Sequence, residues 1–185
     1  MEEQAVSMQA GRLPLCEQVP GLGTPRLLLR PVRESDQDAL IAFWTSERSS
    51  PNDGPHAEDA ARNIPYIEAV SWYFRGYGLW IAVNRRTGKR LVAVSLTPTE
   101  EGNIATLGWD VLDPAAEGWG FATEAAQALL DHGRALGYAG LRARMYADNV
   151  RSRRLAERLG GVHQGSYMRN GREAVTYGFT AGVSA

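Results

Sequence analysis

The stretch GWGFATEAAQALLDHGR, residues 118–134, has the composition of a strong helix but begins with two glycines, which are unfavourable in helices. Residues 122–134 are rich in Ala, Leu, Glu and Gln, which predicts a helix. Gly118 and Gly120 stand at its entry, although a glycine costs about 1 kcal/mol relative to alanine inside a helix. A helix N-terminus has unpaired N–H groups and partial positive charge, so glycines there predict a phosphate cradle. A tight strand-to-helix turn without a ligand is the alternative.

Two common phosphate loops do not fit this stretch. A P-loop requires Gly-Lys-Ser/Thr, whereas Gly120 is followed by Phe121, Ala122 and Thr123. A dinucleotide fingerprint requires a third small residue where Thr123 stands, and an acidic residue at the end of the next strand. That strand is expected to end at Tyr146, within Arg-Met-Tyr, so neither loop is predicted.

Composition limits the classes of protein to which the chain can belong. It has 185 residues, typical of one domain, and a net charge of −1, which argues against non-specific nucleic-acid binding. A single cysteine, Cys16, excludes an internal disulfide, and His56, His132 and His163 lack a metal-binding spacing. The N-terminus resembles no signal peptide, and no apolar run of about 18 residues is present. We expect a cytoplasmic protein without a metal or a membrane segment.

The order of predicted elements indicates an α+β fold. Residues 1–23 contain Pro and Gly without periodicity and are expected to be an N-terminal extension, flexible in part, ahead of a single domain at 24–180. A central mixed, mostly antiparallel sheet of about seven strands and about four flanking helices is predicted. The predicted strands are 26–30, 79–83, 91–96, 104–112, 141–146, 165–168 and 174–179. The predicted helices begin near 34, 57, 122 and 150, with residues 49–55 as a loop and Pro65 expected to kink or split the second helix.

Two motifs resemble those of a known family. Gly118, Gly120 and the following Phe-Ala-Thr-Glu-Ala are similar to G-x-G-[YF]-A-T-E-A. Residues 149–160 match the N-x-x-S-x-x-L-x-E-x-L-G part of a second motif, D-x-N-x-x-S-x-x-L-x-E-x-L-G, and Asp148 stands one position closer to the asparagine than the motif has its acid. Together with the first predicted strand, they resemble the GNAT superfamily of acetyl-CoA-dependent N-acetyltransferases, and within it the branch of ribosomal-protein N-terminal (Rim-type) acetyltransferases. The resemblance covers about residues 24–179 and implies the GNAT fold, with two strands that splay apart at the acetyl-CoA site.

The resemblance also implies where acetyl-CoA binds as acetyl donor. The pantetheine arm is expected at the backbone of residues 110–112, and the Val111 amide is the candidate oxyanion donor. Asn149 is implied to bind pantetheine, although it is equally suited to cap the last helix. An arginine of that helix is implied to bind the 3′-phosphate, although a solvated face is the alternative. The full cofactor set is Val111, Leu112, Gly118, Trp119, Gly120, Phe121, Ala122, Thr123, Asn149, Ser152 and Arg154.

Catalytic groups are less clearly indicated. Asp110 is the carboxylate best placed to take a proton from the amine, with an outward-facing strand residue as the alternative. Ser152 stands where the branch has a serine proposed to protonate the leaving thiolate, although a helix serine is often only back-bonded. Many members carry a tyrosine acid where Ala156 stands, so Ser152, Tyr146 or solvent must replace it. Many members have Gln or Arg at or near the start of the cradle, where this chain has Ala116 and Glu117. Glu117 should repel phosphate, so its side chain is expected to point away from the cradle.

Three functions remain open at this stage. The first is acetyl transfer from acetyl-CoA directly to a primary amine, in a ternary complex and by a monomer or homodimer; the acceptor is a small molecule or a protein N-terminus. The second is a non-catalytic CoA-binding module, and the third is a structural domain. The acceptor is expected between residues 46–56 and 168–173. Its candidate contacts are Glu47, Asp53 and Glu58 for a cation, and Arg169 and Arg172 for a carboxylate.

Overall fold

The computed structural model describes residues 19–179 as one eight-stranded sheet with helices on both faces. The strand order is β1-β2-β3-β4-β5-β6-β8-β7. The strands are β1 (Leu22–Gly23), β2 (Leu27–Pro31), β3 (Leu79–Asn84), β4 (Arg90–Pro98), β5 (Ile104–Val111), β6 (Gly140–Tyr146), β7 (Val162–Arg169) and β8 (Arg172–Phe179). The helices are α1 (Gln37–Trp44), α2 (Glu58–Arg75), α3 (Phe121–Ala135) and α4 (Val150–Arg158).

Alternation along the central strands divides the core into two layers. In β4, Val92 and Val94 pack in the larger apolar cluster, which includes the buried leucines of α3. Ala93 points to the opposite face and joins a smaller cluster with Leu40 and Phe43 of α1. This period of two is the expected pattern for a sheet that is covered on both faces.

The sheet contains one parallel pair, and that pair separates. β5 and β6 pair from Ile104↔Gly140 to Leu107↔Ala143. Beyond that point β5 stays paired with β4 as far as Val111, and β6 stays paired with β8 as far as Tyr146. We call the opening between residues 108–111 and 144–146 the splay. The mixed, mostly antiparallel sheet and its splay are as predicted.

Helix α2 has an unusual distribution of polarity. A cavity above the sheet is lined by Ile64, Glu68 and Ser71, which follow a 4-3 spacing on the inward side of α2, and by Arg75, which is exposed at the end of the helix. Its other face leaves large apolar side chains in solvent: Tyr66, Ile67, Val70, Tyr73 and Phe74. A surface helix normally buries its apolar stripe. Here α2 buries only the small apolar residues Ala61 and Pro65, and the polar Glu68 and Ser71 are half-buried beside them.

Some boundaries differ from the predicted ones. β1 begins at Leu22, before the predicted domain boundary at residue 24, because Leu22–Gly23 pairs with β2. The predicted loop at 49–55 contains the end of a 3₁₀ helix, Glu47–Asn52. Pro65 does not split α2, which runs unbroken from Glu58 to Arg75 and packs against α1. Residues 1–18 of the predicted extension lie outside the described residues.

A buried carboxylate ties the first helical turn to the sheet. Asp36 is fully buried and pairs with Arg30 at 2.7 Å and Arg90 at 2.6 Å. The Arg33 N–H also donates to it, at 2.8 Å. Burial would raise the pKa of Asp36, but these hydrogen bonds and the charge of Arg30 outweigh burial and lower the pKa below 3.8.

We predict that Asp36→Asn lowers the free energy of unfolding by about 3 kcal/mol, because removing one charge of a buried network leaves its partners uncompensated. Because the folded-state pKa lies below 3.8, this stabilisation is present above pH 4 and is lost as pH falls through the folded pKa. Urea unfolding measures it. Asp131→Asn, which removes the exposed pair with Arg134, is the control and should change stability by less than about 1 kcal/mol. Equal effects for the two variants would contradict the prediction.

Candidate active site

The backbone before α3 has the geometry expected of a phosphate cradle. Gly118 and Gly120 have φ angles of 80° and 77°, in the left-handed region that favours glycine. A Cβ on Gly118 would meet nothing within 4 Å, so the backbone is open on that side. α3 begins at Phe121, and the first N–H groups of a helix have no partner within it. The positive end of α3 therefore lies beside the two glycines, although the Trp119 N–H between them donates to the Ala116 carbonyl at 3.4 Å.

Glu117 is neutralised by two arginines from distant elements. Arg48, in the 3₁₀ helix, pairs with Oε1 of Glu117 at 3.0 Å, and Arg151 of α4 pairs with Oε2 at 2.7 Å. The expected repulsion between Glu117 and phosphate is therefore offset by cations that stand beside the glycines. Arg26 adds a third guanidinium, which donates to the Trp119 carbonyl at 3.0 Å and pairs with Glu124 at 2.5 Å.

The splay opens into a cavity of about 190 Å³, which we call the splay cavity. The Leu112 N–H donates to Leu91 of β4, so the N–H and carbonyl of Val111 point the other way, into the splay. Arg48 donates to the Val111 carbonyl at 2.7 Å and to the Leu112 carbonyl at 3.0 Å. Residues that line the splay cavity are Trp44, Asn52, Leu107, Gly108, Trp109, Asp110, Ala143, Arg144, Met145, Ser152 and Arg169.

The residues that the second motif supplies at α4 have different surroundings in the structure. Asn149 caps α4, accepting the Ser152 N–H at 3.1 Å, which is the structural role considered from the sequence. The Ser152 hydroxyl accepts a hydrogen bond from the Trp109 indole at 3.2 Å and lines the splay cavity. Arg154 is exposed and makes no ion pair among residues 19–179. Ala156, where many relatives carry a tyrosine, is fully buried.

Asp110, the predicted proton acceptor, lies near the end of β5, at the edge of the splay. Its side chain is only partly exposed and lines two cavities. Burial raises the pKa of Asp110 to about 7, and a hydrogen bond from the Asn52 amide lowers it in part. A carboxylate with a pKa close to neutrality is able to gain and lose a proton at physiological pH.

A second cavity, of about 380 Å³, lies between α2 and the sheet and is called the α2 cavity. It shares only Trp44 and Asp110 with the splay cavity. Glu68 is its other carboxylate, and burial raises the pKa of Glu68 although the Leu79 N–H donates to it. Residues that line the α2 cavity are Trp44, Ile64, Glu68, Ser71, Arg75, Tyr77, Gly78, Leu79, Ala93, Ser95, Thr97 and Asp110.

The charges predicted to bind the acceptor pair with protein groups instead. Asp53 accepts hydrogen bonds from Tyr146, Asn170 and Arg169, so it clamps the 3₁₀ helix to the β7–β8 hairpin. Arg172 pairs with Asp148 at 3.0 Å, and its guanidinium stacks 3.8 Å from the Tyr146 ring centroid.

Glu47 and Glu58, and the alternative general acid Tyr146, also have hydrogen-bond or ion-pair partners in the structure. Glu47 accepts from Ser50 at 3.1 Å, and Glu58 pairs with Arg62 at 2.5 Å. The hydrogen bond to Asp53 raises the pKa of Tyr146, which makes Tyr146 a poorer acid than an ordinary tyrosine. Of the predicted acceptor contacts, Asp53, Arg169 and Arg172 therefore link the loop to the hairpin, whereas Glu47 and Glu58 pair within their own segments.

Three residues near the cavities were not identified from the sequence: Arg48, Asn52 and Glu68. Arg48 and Asn52 lie 63 and 58 residues before their β5 partners, and no local pattern links them. A signal for Glu68 existed in the 64-68-71-75 spacing. It was obscured because the opposite face of α2 is the more apolar one.

Among residues 19–179, no group of three or more His, Cys, Asp or Glu side chains is arranged to bind a metal ion. In the same part of the chain, no helix is long and apolar enough to cross a membrane.

Comparison with known proteins agrees with the fold and the motifs. The family model for the acetyltransferase (GNAT) domain matches residues 26–162. An acetyltransferase from Agrobacterium tumefaciens strain C58 is 29% identical, with 88% of this chain and 95% of that chain covered and a TM-score of 0.77. No curated protein is similar enough to count as a match.

Two ribosomal-protein acetyltransferases share the fold at lower identity. The ribosomal L7/L12 α-N-protein acetyltransferase RimL, in complex with coenzyme A, is 19% identical, with a TM-score of 0.73 and coverage of 87% and 98%. The ribosomal-protein-S5-alanine acetyltransferase from Vibrio fischeri is 13% identical, with a TM-score of 0.73 and coverage of 89% and 98%. The matched domain covers most of this chain, and with the splayed sheet and glycine cradle it shows that the chain belongs to the GNAT family of acetyltransferases and is an acyltransferase.

Proposed function

We propose that the chain transfers the acetyl group of acetyl-CoA directly to a primary amine, which belongs to a small molecule or a protein N-terminus. The observation that carries the proposal is the junction of the two cavities at Asp110. One cavity lies in the splay, where the family resemblance places the thioester, and the other is free for an acceptor. Direct transfer requires both substrates to meet at one point, and Asp110 stands at that point.

Three features of the chain fit the CoA moiety. Left-handed Gly118 and Gly120, with the first amides of α3 up to Thr123, suit a diphosphate. The splay leaves the Val111 backbone facing a gap, which suits the amides of pantetheine. Arg48 already donates to the Val111 carbonyl, but a carbonyl has two lone pairs and can accept a second donor. Arg154 has no ion-pair partner among residues 19–179 and is available for the 3′-phosphate.

The residues at the junction have complementary tasks in this proposal. Asp110 accepts a proton from the ammonium form of the acceptor, which frees the nitrogen lone pair for attack on the thioester carbon. The Val111 N–H donates to the oxygen on which charge develops. As the carbon–sulfur bond breaks, the Ser152 hydroxyl donates its proton to the sulfur and regains one from the newly bonded nitrogen, so the products are the amide and the CoA thiol. The Trp109 indole occupies a lone pair of Ser152, which leaves the hydroxyl hydrogen free to point at the ligand.

We predict that Gly118→Ala weakens acetyl-CoA binding at least about tenfold, because a side chain enters the open space above the cradle and the left-handed backbone is strained. Gly137→Ala is a matched control. Gly137 follows α3, has a φ of 81° and also has nothing within 4 Å of its Cβ position. Isothermal titration calorimetry with acetyl-CoA measures affinity. Both variants should lose similar stability, and equal affinities for acetyl-CoA would contradict the prediction.

We predict that Asp110→Asn lowers kcat/KM by about 10²–10⁴-fold, because it removes the proton acceptor. The affinity for acetyl-CoA should change little. Release of CoA thiol, measured over a range of amine concentrations with saturating acetyl-CoA, gives kcat/KM. If the variant retains the rate of the unmodified chain, another group accepts the proton.

We predict that Asn52→Ala shifts the pH profile of kcat/KM upward, because the Asn52 hydrogen bond lowers the pKa of Asp110. In the unmodified chain kcat/KM should rise with pH and level off above about 7. In the variant the rise should occur at higher pH. Ser50→Ala, in the same 3₁₀ helix, is the control and should leave the profile in place. An unshifted profile in Asn52→Ala would mean that the ionisation of a group other than Asp110 sets the pH dependence of kcat/KM.

A further inference from the structure

The α2 cavity contains a carboxylate that acetyl transfer, as proposed above, does not require. Glu68 projects from the inward face of α2 and accepts the backbone N–H of Leu79. No ion pair to Glu68 or Asp110 occurs among residues 19–179. A partly buried carboxylate without a counter-ion is unfavourable, so the cavity is electrostatically incomplete.

The chain makes space for this carboxylate. A Cβ at Gly78, which is buried, would lie 2.9 Å from Oε2 of Glu68 and 2.7 Å from the Trp72 indole nitrogen. Both distances are shorter than side-chain contacts allow, so a larger residue there would displace Glu68 or Trp72. Glycine at position 78 therefore permits the Glu68 side chain to reach Leu79, the first residue of β3.

The register of the sheet gives the separation between the two acids. Leu79 pairs with Ser95 of β4, and Ser95 pairs with Gly108 of β5. Neighbouring strands are about 4.8 Å apart, so two strand spacings place Glu68 on the order of 10 Å from the end of β5 that carries Asp110. Trp44 and Tyr77 supply aromatic surface in the same cavity. The α2 cavity is therefore lined by two acids that are separated by the β4 strand, and its lining also includes aromatic side chains and the hydroxyl residues Ser71, Ser95 and Thr97.

We propose that the acceptor of this enzyme is a small aliphatic amine with a second positive charge, of the diamine class, and that Glu68 selects it. This inference rests on the proposed acetyl transfer. One nitrogen lies at Asp110 and is acetylated, and the second ammonium group pairs with Glu68. Arg75 does not fill this role, because it is exposed at the end of α2 and donates to the Tyr77 hydroxyl at 3.4 Å.

The test compares linear α,ω-diamines of increasing length with the amino alcohol and the ω-amino acid of each length. Affinity is measured by calorimetry on the chain saturated with CoA, which has no acetyl group to transfer. kcat/KM is measured by thiol release with acetyl-CoA. The variants are Glu68→Gln, which retains the shape of the side chain, and Glu58→Gln, which removes one charge from the exposed start of the same helix.

We expect one diamine to bind at least about tenfold more tightly than its amino alcohol, as a charge-assisted pair requires. Glu68→Gln should abolish that preference in both affinity and kcat/KM, leave the amino alcohol unchanged, and leave acetyl-CoA affinity unchanged. Glu58→Gln should preserve it. The inference is overturned if the amino alcohol or the amino acid equals the diamine, or if Glu68→Gln retains the preference.

The outcomes also separate this inference from the proposed function. Tight, Glu68-dependent binding of the diamine without thiol release would support the α2 cavity and refute acetyl transfer. Thiol release with a monoamine or a peptide N-terminus, at a rate that Glu68→Gln leaves unchanged, would support acetyl transfer and refute the role of Glu68.

Discussion

β5 and β6 pair as parallel strands for only a few residues and then separate, and the remaining features of the site depend on that separation. Had the pairing continued, the backbone of Val111 would be satisfied within the sheet, and no cavity would lie between the strands. β5 remains hydrogen-bonded to β4 and β6 to β8, so each strand keeps one pairing partner beside the opening. A rigid sheet with one local gap gives a site whose backbone donors are fixed before a ligand arrives.

Within residues 19–179, carboxylates beside the glycine cradle are paired with arginines, whereas those that line the two cavities are not. Around the glycine cradle, Glu117 is balanced by Arg48 and Arg151, so a carboxylate beside a phosphate site need not repel the phosphate. Inside the cavities the opposite holds, because Asp110 and Glu68 have no cationic partner among residues 19–179 and burial raises the pKa of each. A positively charged amine is the ligand that compensates such groups. The same chain thus offers balanced charge where the donor is proposed and unbalanced negative charge where the acceptor is proposed.

Local patterns were sufficient for most of the fold. The glycine entry predicts the start of α3, β3 to β6 lie within two residues of the predicted strands, and Asn149 caps α4 as its position before the helix suggests. Contacts from residues far apart in sequence were not predictable. Asn52 reaches Asp110 because a segment read as a loop forms a 3₁₀ helix that is held by Asp53. The polar inward face of α2 was missed because apolar stripes are expected to be buried.

A crystal structure of the chain with bound CoA tests most directly whether the splay and the cradle act together. The diphosphate should accept hydrogen bonds from the amides between Gly118 and Thr123, and the sulfur should lie in the splay cavity between Val111 and Ser152. Density for the diphosphate away from α3, or a sulfur outside the splay, would contradict the proposed site.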